Sequence, residues 1–263
     1  MIKLVASDID GTLLPEGTAK INPEIFTVIR KMKEKGILFV AASGRHYTSM
    51  ERLFEPVKDD IIFITENGSY VRCRGYDMVE RDIDKAYVTE WVTQMRSIPG
   101  TSFTLDTKEG FFTESRDEEF ISLIRDGYRS RITVMPDVTE IIPDKEFIKM
   151  AAYSKDDIKT VQEKMVPLWE ERLHCTVAGD IWVDFMKKGT DKGVALRTIQ
   201  ETLGISREET MAFGDNQNDI EMLGCALESY AVGNARPEVR EAARHITDSN
   251  INDGVLKVLR TLV

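Results

Sequence analysis

The sequence contains short, uninterrupted apolar runs that end abruptly in small polar or acidic residues. One run, over residues 4–6, leads directly into Asp8 and Asp10. Another, over residues 37–42, stops at Ser43. Apolar runs of this length are typical of strands that are buried on both faces, as in a parallel sheet covered by helices. The pattern therefore predicts an α/β fold with polar groups at the carboxyl ends of its strands.

Helical patterns separate these predicted strands. After the first run, a helix is predicted to begin at Asn22-Pro23 and to end at Gly36, with apolar residues at the spacing of one helix face. A third run, residues 61–64, leads into the turn at Asn67-Gly68, so that three βα-type strands follow in succession. Residues 192–203 form another amphipathic pattern before a strand at 210–213. We therefore expect a doubly wound, Rossmann-like parallel sheet.

The middle of the chain has a different pattern. Strands such as residues 102–105 and 110–113 are less purely apolar and are separated by helical segments. Mixed elements of this kind predict an α+β domain inserted into the first one. We expect a core of residues 1–82 and 187–263, with residues 83–186 as an inserted cap that selects the substrate.

Composition excludes several classes of function. The 35 basic and 45 acidic residues give a net charge of −10, which disfavours nucleic acid as a partner. No apolar stretch is long enough to span a bilayer, and the N-terminus shows no secretory pattern. The 3 cysteines have no paired spacing. We expect a cytoplasmic protein without a membrane partner, and the sequence is compatible with either a monomer or a homodimer.

Polar residues follow several predicted strands at the same edge of the sheet. Asp8 and Asp10 repel each other unless a cation or a proton intervenes, which indicates either a metal site or an acid–base pair. A solvated turn is the alternative for such a pair taken alone. Further polar residues follow the other runs, namely Ser43, Gly44, Asp215, Asn218 and Asp219. Their convergence predicts a functional site at this edge.

With Lys192, these segments resemble the motifs of the haloacid dehalogenase superfamily, in its order. The motifs are Asp8-Ile9-Asp10-Gly11-Thr12-Leu13, Ser43-Gly44-Arg45, Lys192, and Gly214-Asp215-Asn216-Gln217-Asn218-Asp219. The chain is most similar to the Cof-type sugar-phosphatase branch. Its further matches are Glu66-Asn67-Gly68, Asp191-Lys192-Gly193, the tail Gly233-Asn234-Ala235, and Asp253-Gly254-Val255.

The resemblance implies phosphoryl transfer through an aspartyl-phosphate. In this interpretation Asp8 is the nucleophile, and Asp10 is the general acid and base. A Mg²⁺ ion is held by the carboxylates of Asp8 and Asp215 and by the backbone carbonyl of Asp10. Lys192 balances charge beside the nucleophile, and Lys188 is a rival for this role.

The resemblance also implies how the rest of the site binds phosphate and substrate. Ser43 and Gly44 cradle phosphoryl oxygens, although tight-turn packing is an alternative for them. Three further side chains, together with His46, are candidates for contacts to the substrate: Arg45, Asn67 and Asn218. Arg45 could instead brace loop carbonyls. Asp219 is expected to orient the lysine or the metal, or only to cap the following helix.

The predicted function is Mg²⁺-dependent hydrolysis of small phosphorylated metabolites, with sugar phosphates as the expected class. A phosphomutase would use the same intermediate and is one alternative. A non-catalytic protein that binds a phosphorylated ligand is another. A glycosyltransferase that uses Asp8-Ile9-Asp10 leaves Lys192 and Asp215 unexplained. No motif in the inserted segment identifies the substrate.

Overall fold

The computed structural model describes residues 1–15, 18, 21–178 and 181–263. These residues form two compact units. The first, which we call the terminal unit, comprises Met1–Val79 and Asp191–Val263. The second, the inserted unit, comprises Glu80–Thr190. That the inserted unit acts as a cap stays a prediction.

The N-terminal part of the terminal unit alternates strands and helices before ending in a hairpin. Helix α1 buries the four apolar residues of the predicted face, Ile25, Val28, Ile29 and Met32, which confirms that helix. The elements are β1 (Leu4–Asp8), α1 (Glu24–Glu34), β2 (Leu38–Ala42), α2 (Tyr47–Leu53), β3 (Ile62–Thr65), β4 (Tyr70–Cys73) and β5 (Tyr76–Glu80).

The inserted unit is a six-stranded sheet with helices. Its elements are α3 (Lys85–Met95), β6 (Ser102–Thr107), β7 (Gly110–Thr113), α4 (Glu118–Ser122), β8 (Ile132–Val134), β9 (Lys149–Tyr153), α5 (Ile158–Trp169), β10 (Leu173–Ala178) and β11 (Trp182–Lys187). The strand order is β10-β11-β9-β6-β7-β8, and the neighbours pair antiparallel except for β7 with β8. Its largest apolar cluster includes Trp91, Trp169 and Phe185.

The C-terminal part returns to alternating strands and helices. Its elements are α6 (Lys192–Leu203), β12 (Thr210–Gly214), α7 (Ile220–Gly224), β13 (Glu228–Ala231), α8 (Pro237–Ala242), β14 (His245–Ile246) and α9 (Gly254–Leu259). Helix α6 ends at Gly204, whose left-handed backbone (φ 63°) is the common way to close a helix. Among the described residues, no helix combines the length and apolar character needed to cross a bilayer.

The sheet of the terminal unit joins both ends of the chain. Its eight strands lie in the order β14-β13-β12-β1-β2-β3-β4-β5. Strand β1 pairs in parallel with β2 on one side and with β12 on the other. The strand order therefore reverses at β1, and crevices for ligands form at the carboxyl edge beside such a reversal. The predicted α/β class with a parallel Rossmann-like sheet is confirmed.

One sequence prediction about this sheet is wrong. Strand β3 is not followed by a helix, because the chain turns back and β4 pairs antiparallel with it. Glu66, Asn67 and Gly68 make the reversal, with left-handed φ angles of 49°, 51° and 102°. Glycine adopts such angles freely and asparagine tolerates them. Three left-handed residues in succession cannot start a right-handed helix.

Candidate active site

Two acidic loops approach each other closely at the carboxyl edge of the terminal sheet. Asp8 is the last residue of β1, and Asp215 directly follows β12, the parallel neighbour of β1. Gly11 lies between the loops with a left-handed φ of 86°. A Cβ atom on Gly11 would overlap the carboxylate of Asp215. Glycine is therefore required here both for the turn and for the approach of the two loops.

Lys192 connects the helix α6 to this edge. Its Nζ donates to Oδ1 of Asp8 at 2.6 Å and to Oδ1 of Asp219 at 2.8 Å, and the residue is buried. Burial alone would lower the pKa of Lys192, but the carboxylates of Asp219 and Asp8 outweigh it and raise the pKa. The lysine is therefore a permanent ammonium beside Asp8.

The carboxylates carry more negative charge than this one ammonium balances. Burial raises the pKa of Asp8 well above its ordinary value, and Asp219 adds to this, while Lys192 opposes it. Burial also raises the pKa of Asp215 to about 6, although a hydrogen bond from Thr12 works in the other direction. The site is therefore short of positive charge.

The acidic cluster fits a small, hard cation. Asp8, Asp215 and Asp219 each offer one carboxylate oxygen, and these atoms lie within 4.8 Å of one another. Oδ2 of Asp8 is buried and meets no hydrogen-bond donor among the residues that the structure describes. Such an unsatisfied buried oxygen is costly unless a cation or a proton compensates it. Oxygen donors of this kind are the ligands that Mg²⁺ prefers.

Asp219 differs from the other two acids because its carboxylate is already fully used. Oδ1 accepts from Lys192, and Oδ2 accepts from the backbone N–H groups of Asp215 and Asn216 at 3.0 and 3.1 Å. Asp219 thus contacts the lysine, whereas its side chain makes no capping bond to the following helix α7 and instead closes the preceding turn, Gln217–Asp219, by accepting from the N–H of Asn216. Asp8 and Asp215 are left as the acids with capacity for a metal.

Asp10 is held by Arg45, for which the sequence left open contact with the substrate or bracing of loop carbonyls. Arg45 donates from Nε to Oδ2 of Asp10 at 2.8 Å and from Nη2 to Oδ1 at 2.5 Å. Nη2 also donates to the carbonyl of Thr18 at 3.0 Å. Two parallel bonds between a guanidinium and a carboxylate fix both the position and the orientation of the acid. A contact between Arg45 and substrate stays a prediction.

The loops after β2, β3 and β12 meet around Asn67. Its Oδ1 accepts from Nδ2 of Asn218 at 3.1 Å. A Cβ atom on Gly44 would lie 3.1 Å from both terminal atoms of the Asn67 amide, so the Gly44 backbone passes close to it. Ser43 is buried, and its Oγ accepts from the backbone N–H of Arg45 at 3.1 Å. The structure thus brings these predicted phosphate- and substrate-binding residues to one edge.

Two other candidates have contacts of a different kind. Nδ1 of His46 accepts from the backbone N–H of Thr48 at 3.2 Å and caps helix α2. Lys188 donates to the carbonyls of Glu170 and Glu171 at 3.1 and 2.8 Å, within the inserted unit. The Lys188 ammonium is thus bound to carbonyls of its own unit, whereas Lys192 contacts Asp8 directly, which favours Lys192 for the role beside the nucleophile.

Sequence reasoning gave no role to two residues that contact this site. Thr12 is buried, and its Oγ1 donates to Oδ1 of Asp215 at 2.8 Å. Nδ2 of Asn234 donates to the carbonyl of Gly11 at 2.7 Å. Both residues lie inside motifs that carry the family resemblance, and this position was the indication in the sequence that they belong to the site. Which atoms they contact depends on the folded backbone and is not encoded in spacing.

Comparison with known proteins identifies the family. A model of the haloacid dehalogenase-like hydrolases matches residues 5–259. A 5-amino-6-(5-phospho-D-ribitylamino)uracil phosphatase, YcsE of Bacillus subtilis, is 31% identical, with 98% of this chain and 95% of that protein covered. An HMP-PP phosphatase of Escherichia coli is 29% identical, with 94% of this chain and 89% of that protein covered.

A solved structure agrees over the full length. The crystal structure of a protein from Eubacterium rectale is 34% identical and superposes with a TM-score of 0.93 over 100% of this chain and 99% of that chain. The family match extends from β1 to helix α9, across both units. The family identified from the four motifs is thereby confirmed, and this chain belongs to the haloacid dehalogenase-like hydrolases.

Proposed function

We propose that the protein is a Mg²⁺-dependent phosphatase that hydrolyses phosphate monoesters of small metabolites through an aspartyl-phosphate on Asp8. One observation carries this proposal. The buried carboxylate of Asp8 has one oxygen bound to Lys192 and the other without a donor among the described residues, next to Asp215. Such a carboxylate is aligned by a cation on one side and still has an oxygen available for chemistry.

In the first half of the reaction, a carboxylate oxygen of Asp8 attacks phosphorus and the bond to the leaving oxygen breaks. Asp10, once one of its oxygens has left Arg45 and taken up a proton, donates that proton to the leaving oxygen. In the second half, Asp10 takes a proton from water, the water oxygen attacks phosphorus, and the acyl-phosphate bond breaks to restore Asp8. When bound, Mg²⁺ supplies positive charge that offsets repulsion between Asp8 and the phosphate dianion.

Several side chains of this edge support binding of the phosphoryl group. The Lys192 ammonium lies beside the nucleophile, and Ser43 and Gly44 offer a hydroxyl and a backbone N–H from the neighbouring loop. Cations and preoriented donors stabilise the charge that builds up on a phosphoryl group in its transition state. Asn67 and Asn218 then stand as candidates for contacts to the remainder of the substrate.

The substrate class follows from the relatives and the charge of the chain. The two relatives are named for phosphorylated small molecules, one of which carries a phosphorylated ribityl chain. The net charge of −10 disfavours a polyanionic partner such as nucleic acid. We propose small phosphorylated metabolites as substrates, with sugar phosphates and phosphorylated polyol chains as the first class to examine.

A panel of phosphorylated metabolites, assayed for free phosphate with Mg²⁺ and with a chelator, tests this function. The wild-type protein should release phosphate only with Mg²⁺, and Asp8→Asn should lower the rate by about 10⁴-fold or more. Asp126→Asn, an exposed carboxylate of the inserted unit, is the matched control and should behave as wild type. Isomer interconversion without free phosphate would indicate a phosphomutase, and unchanged release by Asp8→Asn would overturn the proposal.

A further inference from the structure

The segment after β13 contacts both acidic loops of the active site. Nδ2 of Asn234 donates to the carbonyl of Gly11 at 2.7 Å, and the backbone N–H of Arg236 donates to the carbonyl of Asp215 at 3.0 Å. Gly11 directly follows Asp10 in the chain. This segment, residues 233–236, therefore links the loop that carries the proposed general acid to the loop that carries a proposed metal ligand.

The turn after Asp10 is closed by its own backbone hydrogen bonds. The N–H of Gly11 donates to the carbonyl of Leu14 at 2.9 Å, and the N–H of Leu14 donates to the carbonyl of Ile9 at 3.0 Å. These bonds determine the curvature of the turn. The Gly11 carbonyl, in contrast, is bound by a side chain from a distant part of the chain. Asn234 thus fixes the orientation of the peptide group between Gly11 and Thr12, one residue beyond Asp10.

Asn234 is itself held in one orientation. Its Oδ1 accepts from the backbone N–H of Asn250 at 2.9 Å. Only the amide oxygen can accept that bond and only the amide nitrogen can donate to the carbonyl of Gly11, so the two contacts define the rotamer. The neighbouring Gly233 donates its N–H to the carbonyl of Asp248 at 3.2 Å, and a Cβ atom on it would lie 2.9 Å from the nitrogen of Ser249. The backbone next to Asn234 is therefore closely packed against residues 248 and 249.

We propose that Asn234 is a positioning residue that directs the carboxylate of Asp10 through the carbonyl of Gly11. Arg45 holds the same carboxylate directly with two hydrogen bonds, and Asn234 holds the backbone next to it. The inference rests on the proposed function, in which Asp10 protonates the leaving oxygen. A change in the backbone at Gly11 moves the preceding acid away from that oxygen, and proton transfer depends steeply on such distances.

The choice of leaving group separates this role from a purely structural one. A simple alkyl phosphate releases a strongly basic alkoxide and needs the proton from Asp10. An aryl phosphate with an electron-withdrawing ring releases a stable phenolate and needs little help. General acid catalysis contributes about 10² to 10⁴-fold where the leaving group requires it. A displaced acid therefore slows the alkyl ester selectively, whereas partial unfolding slows both esters alike.

The test compares kcat/KM for these two esters in Asn234→Asp and Asn234→Ala. The aspartate keeps an acceptor for Asn250 and replaces the donor to Gly11 by an oxygen, and alanine removes both contacts without adding charge. Both variants should lose about 10-fold or more on the alkyl ester and less than about 3-fold on the aryl ester. Asn252→Ala, which loses only a hydrogen bond to Ser249 in the same tail, should leave both values unchanged.

Asp10→Asn separates failure of the inference from failure of the proposed function. If Asp10→Asn slows the alkyl ester selectively while the Asn234 variants slow both esters equally or neither, the positioning role of Asn234 is overturned and the function stands. If Asp10→Asn shows no selectivity, Asp10 is not the general acid and the positioning role of Asn234 falls with that step, whereas the phosphatase function is still decided by Asp8→Asn. The alanine variant serves if the aspartate variant does not fold, and thermal unfolding of each variant checks this.

Discussion

Among the described residues, each unit of the molecule has a lysine that is buried between two aspartates, and we place only the cluster of the terminal unit in the proposed active site. In the terminal unit, Nζ of Lys192 lies 2.6 Å from Asp8 and 2.8 Å from Asp219. Its partners come from a strand end and from a turn, and the lysine is the first residue of a helix. Asp215 adds a further carboxylate beside them.

The cluster of the inserted unit is built entirely on strands. Nζ of Lys149 lies 3.4 Å from Asp106 and 3.6 Å from Asp184, and all three side chains are buried. Lys149 is directly opposite Asp106 in the pairing of β9 with β6, and Asp184 lies on the neighbouring strand β11. A sheet holds its side chains at fixed spacings, so these charges are locked side by side.

A buried ion cluster is therefore not by itself evidence for catalysis. The cluster of the terminal unit lies at the carboxyl edge of a parallel sheet, where loops are free to carry ligand-binding groups. It also carries an additional carboxylate, that of Asp215, which has an oxygen within 4.8 Å of oxygens of Asp8 and Asp219. We attribute the functional difference between the two clusters to this position and to the carboxylate of Asp215 beside Asp8 and Lys192.

Replacing each lysine by methionine has the largest expected effect and tests whether the two clusters differ in function. Lys192→Met leaves Asp8 and Asp219 buried without their cation, which should cost about 3 to 5 kcal/mol of unfolding free energy and lower kcat by about 10³-fold or more. Lys149→Met should cost a similar free energy but leave hydrolysis of a small aryl phosphate within about 3-fold of wild type. Urea unfolding and steady-state kinetics measure the two effects.

The contrast fails if both methionine variants lose activity equally at temperatures where both remain folded. Leu in place of Met provides a second apolar variant at each position, so that an accident of packing is not mistaken for an effect of charge. Equal losses would mean that the inserted cluster takes part in the reaction.

The pH dependence of thermal stability tests the state of Asp215, the additional carboxylate of the cluster in the terminal unit. Its pKa is raised by burial to about 6, above the ordinary value of 3.8, so the folded protein binds a proton more tightly than the unfolded chain. This group therefore favours folding most below pH 4, and its contribution decreases as pH rises towards 6 and above. In metal-free protein, wild type should lose thermal stability relative to Asp215→Asn between pH 4 and pH 7.

Mg²⁺ should reverse the loss of thermal stability that the wild-type protein shows between pH 4 and pH 7. At pH 7 the cation should raise the unfolding temperature of wild type and have a smaller effect on Asp215→Asn, because a cation bound only by the folded state stabilises it. Differential scanning calorimetry with and without Mg²⁺ gives both numbers. A pH-independent difference between the two proteins would contradict the raised pKa.

Thr12 gives the smallest expected effect. Thr12→Val removes a hydrogen bond to Asp215 worth about 1 kcal/mol, so the Mg²⁺ concentration for half-maximal activity should change by about 5-fold while kcat at saturating Mg²⁺ stays within about 3-fold. Thr93→Val, at an exposed hydroxyl of α3, is the control. An equal change in both variants would show that Thr12 has no special relation to the metal site.

Much of the terminal unit could be predicted from the sequence, because its elements follow local patterns. The apolar runs of β1 and β12 and the periodic face of α1 appear directly in the residue order. The turn at Asn67-Gly68 could be predicted as well, but its continuation into an antiparallel strand could not, since the reversal also uses a left-handed angle at Glu66 that is unusual for glutamate. The order of the motifs predicted that the site residues lie close together, but it did not predict which atoms are in contact.

The contacts of individual side chains were harder to predict for a physical reason. Arg45 has a long, flexible side chain, and its bonds to Asp10 depend on where the loop backbone places it. The cluster around Lys149 was invisible in the sequence, because strand pairing joins residues that are far apart in the chain. Spacing rules describe neighbours within one element and contain no information on register between strands.

Capture of the phosphoryl group on the protein tests whether Asp8 forms the covalent intermediate. Wild-type enzyme, mixed with Mg²⁺ and a substrate labelled in its phosphoryl group, should retain the label after a rapid acid quench. The label should be lost in base, as expected of an acyl phosphate, and should map to the peptide that contains Asp8. Rapid release of phosphate with no label on that peptide at any quench time, or labelling of another residue, would contradict the account.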